Sequence, residues 1–123
     1  MNEKPIPFHV IDWNQASTTI HQGTTGQATW QTHSLPGLRI RIVHYSAGYL
    51  ADHWCQKGHI VHCLDGEFTS ESQDGKTFHL KKGDTYVVSD DQSSHRSRTE
   101  QGTTLLIIDG EFLHTSLEKQ QEK

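Results

Sequence analysis

Apolar and polar positions alternate with a period of two along most of this chain. Leu38, Ile40 and Ile42 alternate with Arg39, Arg41 and Val43, the pattern of a half-buried strand over about 37–45. Read this way, Ile40 and Ile42 face the core and Arg39 and Arg41 a solvated face. Ser46-Ala47-Gly48 breaks the pattern, a strand near 50–55 follows, and Gly58 makes a corner. Residues 59–64 are rich in β-formers, Asp65-Gly66 signals a turn or bulge, and 67–72 alternate again. Asp74-Gly75 is a hairpin signal, because type I′ turns need positive φ at both central residues; 76–80 then return as the partner strand. Gly83-Asp84 turns the chain into 85–89, residues 90–94 are a polar loop, a strand carries His95, and 103–109 form the last strong strand. Residues 1–27 are polar and rich in Gly and Thr, and read as extended chain and loops. Within them Ile6, Phe8, Val10 and Trp13 nearly alternate and predict a short strand, with Pro5 and Pro7 opposing helix. The tail 111–123 reads as a short helix from the spacing of Phe112, Leu113 and Leu117.

Many short strands with turn signals roughly every 8–12 residues predict an all-β sandwich or barrel, and an eight-stranded jelly roll closes such a chain with few exposed edges. At 123 residues the chain is expected to form one domain, 1–123, with a barrel core over about 28–109. Net charge is −4 and the 11 basic residues are scattered, so neither a nucleic-acid footprint nor a polybasic membrane patch is present. No apolar run approaches the ~18 residues of a membrane span. The N-terminus carries no apolar signal segment, which points to the cytoplasm, with Cys55 and Cys63 as free thiols.

Ten histidines change the picture, since imidazole is the commonest metal ligand. His53 and Cys55 stand two apart, which on a strand puts them on one face about 6.6–7 Å apart at Cα. His59 follows the Gly58 corner and faces the same interior, and His95 arrives from a distant strand. His53, Cys55, His59 and His95 are therefore the candidate metal ligands. A thiolate disfavours Mg, Ca and Mn; three imidazoles and a thiolate favour Zn, with Fe, Ni, Co or Cu also suited. Four protein ligands would make a closed, structural site; with Cys55 off the metal, three histidines and an open position would make a catalytic one.

The segment Gly48–Gly66 resembles the first cupin motif: four residues separate Gly48 from His53-Trp54-Cys55, three more precede His59, and six precede Gly66. Cys55 stands where the motif has its second His, and His59 where it has Glu. Gly83 to His95 resembles the second motif, without its Pro and second Gly and one residue longer. Asp52-His53-Trp54-Cys55 also resembles a group of small single-domain cupins named for an Asp-His-Cys-Trp motif, with the last two letters exchanged. The resemblance covers roughly 38–109 and implies a jelly-roll barrel with a metal near its mouth, a small-molecule ligand and a homodimer. It implies no single reaction, because cupins include dioxygenases, isomerases and sugar-binding proteins.

Arg41, Tyr45, Trp54 and His44 are the candidate substrate-binding residues, by strand position and aromatic character. Asp52 is a candidate to accept a hydrogen bond from a ligand histidine and so orient it. His62 stands three after His59 and should face the opposite side. Three functional readings follow: a metalloenzyme acting on a small organic molecule, a non-catalytic sugar-binding or structural metal module, and a reactive thiol at Cys55.

Overall fold

The computed structural model describes residues 5–114. Eight strands are present: β1 (Ser17–Gln22), β2 (Gln27–Leu35), β3 (Leu38–Tyr45), β4 (His59–Ser72), β5 (Thr77–Lys81), β6 (Thr85–Val88), β7 (His95–Arg98) and β8 (Thr103–Gly110). All pairings are antiparallel, in the order β1-β2-β3-β8-β4-β5, with β6 and β7 also on β4.

β4 organises the barrel. Its first half pairs with β8 and β6, its second half with β5 and β7. The register shifts between Cys63 and Asp65, where Gly66 has φ 75°. Asp65-Gly66 is thus a bulge inside one 14-residue strand rather than a turn between two. A bulge bends a strand and raises its twist, which lets β4 pass from one layer to the other. Asp74-Gly75 does form the β4–β5 hairpin, with Gly75 at φ 99°.

Phe68, Leu105, Val43, Val61 and Cys63 are almost completely buried and form the core with Ala28, Tyr49, Leu80 and Ile107. On β3 the predicted facing is reversed. Arg41 and Val43 are buried, while Ile40, Ile42 and His44 lie on the outward face. Register explains the reversal. Arg39 pairs with Asp109 of β8, and the buried Asp109 carboxylate holds both the half-buried Arg39 and the buried Arg41, so the inner face accepts arginine. The aliphatic residues of β3 then meet Leu106 and Ile108 of β8 and, through β8, Ile60 of β4.

Three other expectations change. Residues 50–55 form no strand, only isolated bridges at Leu50 and Cys55. Residues 6–12 form no strand either; they lead to a 3₁₀ turn, Trp13–Gln15, capped by the Asp12 side chain on Asn14 N–H. β1, by contrast, sits in a stretch read as loop; it is exposed on both faces and carries no apolar alternation. At the C-terminus Glu111–Leu113 form one 3₁₀ turn, and the rest of the predicted helix lies outside the described residues.

Candidate metal centre

Cys55 and His95, forty residues apart, are locked as a backbone pair. Cys55 N–H donates to the His95 carbonyl at 2.7 Å, and His95 N–H donates to the Cys55 carbonyl at 2.9 Å. A pair that exchanges both bonds sends its two side chains to the same side. His59 opens β4 opposite Val88 of β6. Gly58 sets its approach: its N–H donates to Asp90 Oδ1 at 2.6 Å, and a Cβ there would lie 2.6 Å from both Val88 O and Asp90 N. Only glycine passes through that gap, since real Cβ atoms do not approach backbone so closely.

The result is a three-residue group. One ligand atom each from Cys55, His59 and His95 lies within 4.8 Å of the others. Cys55 Sγ is 3.6 Å from His59 Nε2, and the two imidazoles meet edge to face. Zn–S of about 2.3 Å and Zn–N of about 2.0–2.1 Å at a tetrahedral angle separate S and N by about 3.6 Å. Both histidines are buried, and both ring nitrogens of His95 lack a hydrogen-bond partner. Buried polar atoms without partners are costly, and an ion would satisfy one of the His95 nitrogens. The donor set fits a borderline-soft divalent ion.

Electrostatics agree with geometry. Burial works to raise the Cys55 thiol, but the imidazoles of His59 and His95 outweigh it and bring the thiol down to about 5. For His59, burial opposes the charged ring, and Asp109 and Cys55 prevail, raising it.

His53 is not part of this group. Its ring is 75% exposed and held by Asp52, Nδ1 to Oδ1 at 2.7 Å. Residues 51–54 bend rather than run as a strand, so the alternation that would align His53 with Cys55 does not apply. Asp52 accordingly orients an exposed ring rather than a member of the group.

The candidate substrate-binding residues each have partners within the chain. Arg41 is buried, bonded to Asp109 at 2.9 Å and stacked 4.4 Å over the Trp30 ring. Tyr45 stacks on Tyr49 at 4.3 Å in the core, and burial raises its phenol. Trp54 carries the Arg96 guanidinium 4.4 Å over its ring, and Arg96 Nε donates to Glu71. His44 is exposed, 3.1 Å from Thr104 Oγ1. His62 also points away, toward Thr85 Oγ1 at 2.7 Å.

Two features escaped the sequence reading. Asp109 is 2% exposed; it accepts from Arg39 through both oxygens and from Arg41, and Oδ2 lies 3.5 Å from His59 Nδ1. Burial would raise this carboxyl, but His59 and the two arginines hold it far below the carboxylate range. The available signal was a lone acid in the inward set Thr103, Leu105, Ile107, Asp109. The second feature is a cavity of about 920 Å³ bounded by β5 and β6, whose lining includes Ser70, Ser72, Phe78, Leu80, Tyr86 and Val88. His95 belongs both to this lining and to the metal-ligating group.

Solved structures with this architecture are numerous. Ectoine synthase from P. lautus superposes with a TM-score of 0.65 at 18% identity, over 94% of this chain and 86% of that one. A cupin-2 domain from Rhodospirillum rubrum gives 0.67 at 14% identity, over 85% and 76%. The fold is that of the cupins. A cupin-superfamily sugar phosphate isomerase from Silicibacter pomeroyi shares it at 0.66 and 12% identity, over 84% of this chain and 76% of that one. No protein-family model and no curated protein matches the sequence. Among the described residues no helix is long and apolar enough to cross a membrane.

Proposed function

We propose that this cupin-fold chain binds one divalent transition metal through Cys55, His59 and His95, beside a cavity that receives a small organic molecule. The observation that carries the reading is the sharing of His95: one buried residue, whose ring nitrogens accept or donate no hydrogen bond at ordinary distance, belongs to both the donor group and the cavity wall. Zinc suits the donor set best, with iron, nickel, cobalt or copper as the other candidates. Three protein donors leave a fourth position, where a bound ion supplies Lewis-acid polarisation or an activated water. The chain provides the rest. Phe78, Leu80 and Val88 offer an apolar wall, and Ser70, Ser72 and Tyr86 offer hydroxyls to orient polar groups. Two of the fold neighbours are enzymes of small molecules, an ectoine synthase and a sugar phosphate isomerase.

A panel of small organic acids, sugars and sugar phosphates, offered to metal-loaded and to chelated protein, tests the reading. Turnover by loaded protein alone supports an enzyme. Binding without turnover supports a non-catalytic sugar- or ligand-binding module. A higher melting temperature as the only effect of metal supports a structural ion, and no metal binding at all overturns the proposal.

The low thiol of Cys55 supports a second reading, a reactive cysteine. In metal-free protein, iodoacetamide should alkylate Cys55 with a midpoint near pH 5, the value to which its neighbours bring it. Cys63 is buried against Asp65 O, Gly66 O and Thr103 and should stay unlabelled. A midpoint in the ordinary thiol range, checked by peptide mass spectrometry, removes this reading.

The outward stripe of Ile40, Ile42, Ile60, Leu106 and Ile108 offers an apolar face to a second copy of the chain. Sizing chromatography at micromolar concentration is expected to give a homodimer; a monomer removes that proposal.

A further inference from the structure

His9 and His33 meet far from the barrel centre. His9 lies in the extended segment ahead of the Trp13–Gln15 turn, and His33 on β2, on the same outward face as Gln31. Their Nε2 atoms are 3.2 Å apart, with ring centroids at 5.4 Å. His9 Nδ1 is 2.8 Å from the Pro7 carbonyl, which can only accept, so Nδ1 carries a proton and in the neutral ring Nε2 of His9 presents a lone pair.

We infer that His9 and His33 form a second, surface metal site that clasps the N-terminal segment onto the outer face of the sheet. Two imidazole nitrogens on one tetrahedral ion at about 2.0–2.1 Å stand about 3.3 Å apart, so these two are already at chelating distance. The Pro7 carbonyl fixes the tautomer and orientation of His9, as the outer partner of a ligating histidine does. On metal binding His33 releases its Nε2 proton to solvent and takes one up at Nδ1, so the neutral ring changes tautomer and the freed Nε2 lone pair takes the ion. Water completes the coordination. The ion is Zn, Cu or Ni, which imidazole suits.

Around His9 the segment buries little: Phe8 is 100% exposed and Val10 86% exposed, whereas Ile11 and Trp13 further on are partly buried. Besides the histidine contact, the Gln31 side chain donates to the Trp13 carbonyl at 3.1 Å. Metal at His9 and His33 therefore adds its hold where the segment has least, around residues 7–10. The site shares no residue with Cys55, His59 and His95, so either stands if the other fails.

Equilibrium dialysis of the full chain against zinc tests the inference, with His9→Ala, His33→Ala and Cys55→Ala compared with wild type. Wild type and Cys55→Ala should each bind one more equivalent than the same chain carrying His33→Ala. His9→Ala should lose the same equivalent. Chymotrypsin, which cuts after Phe8 and Trp13, gives an independent readout. Zinc should slow cleavage there about tenfold in wild type and have no effect in either histidine variant, a ratio set by the chelate being closed in most molecules. Equal zinc stoichiometry in wild type and His33→Ala overturns the site. Zinc protection that persists in His33→Ala overturns the clasp. Both histidines are at the surface, so neither variant threatens the core.

Discussion

Replacing His59 or His95 by alanine is expected to empty the barrel of metal, while His53→Ala leaves it loaded. The two buried imidazoles and Cys55 Sγ converge within 4.8 Å, whereas His53 is three-quarters exposed and bonded to Asp52. Loss of a residue that only orients a ligand weakens metal affinity about 10–100-fold; loss of a ligand should exceed that. Metal content by mass spectrometry, on protein dialysed against submicromolar zinc, reads the difference. Cys55→Ala distinguishes the ions: a zinc site should lose its metal, while an ion held mainly by imidazole should persist. If His53→Ala empties the site as fully as His59→Ala, the loop 51–54 closes over the ion and the three-residue group is incomplete. If all four variants keep their metal, the ion binds elsewhere.

Much of this was legible in the chain, and the misses share physical causes. Alternation marks β3 and β8 because each is flanked by neighbours on both sides and has two distinct faces. It does not say which face is inside. On β3 the apolar set Leu38, Ile40, Ile42 competes with a set of two arginines, Val43 and Tyr45. Hydropathy favours the first set; the counter-charge at Asp109, nearly seventy residues away, reverses the choice. Edge strand β1 left no signal because both its faces are wet. The candidate donor group is two-thirds a local pattern, Cys55 and His59 around Gly58, and turn spacing pointed to its distant member, His95. The structure leaves His53 outside the candidate group because a two-residue spacing implies a shared face only on a strand, and residues 51–54 are not one. The cavity was not legible at all, since Phe78, Tyr86 and Val88 meet only when β5 and β6 are placed on different halves of β4.

Asp109→Ala is expected to be among the most destabilising single substitutions in the chain. Its carboxylate is shared by Arg39 and Arg41 at 2.9 Å each. Arg39 is one-third exposed and can turn to water, but the Arg41 side chain is only 5% exposed. Removing the acid leaves that guanidinium charged and buried, with Trp30 as its remaining neighbour of note. Breaking a buried pair from one side costs about 3–5 kcal/mol, which for a domain near this size lowers the melting temperature by about 10–20 °C. Because His59 Nδ1 faces the same carboxylate, metal affinity should fall about 10–100-fold as well. The double variant Asp109→Ala with Arg41→Met separates the two effects. Replacing both partners of a buried ion pair by apolar groups is often close to neutral, so stability should largely return while the weakened metal affinity does not. A single-variant cost within about 0.5 kcal/mol, the range of ordinary surface changes, would mean that Arg41 finds another partner or reaches water. That result would return Arg41 to the list of side chains free to meet a ligand, whereas the expected one commits it to the wall that holds His59 in place.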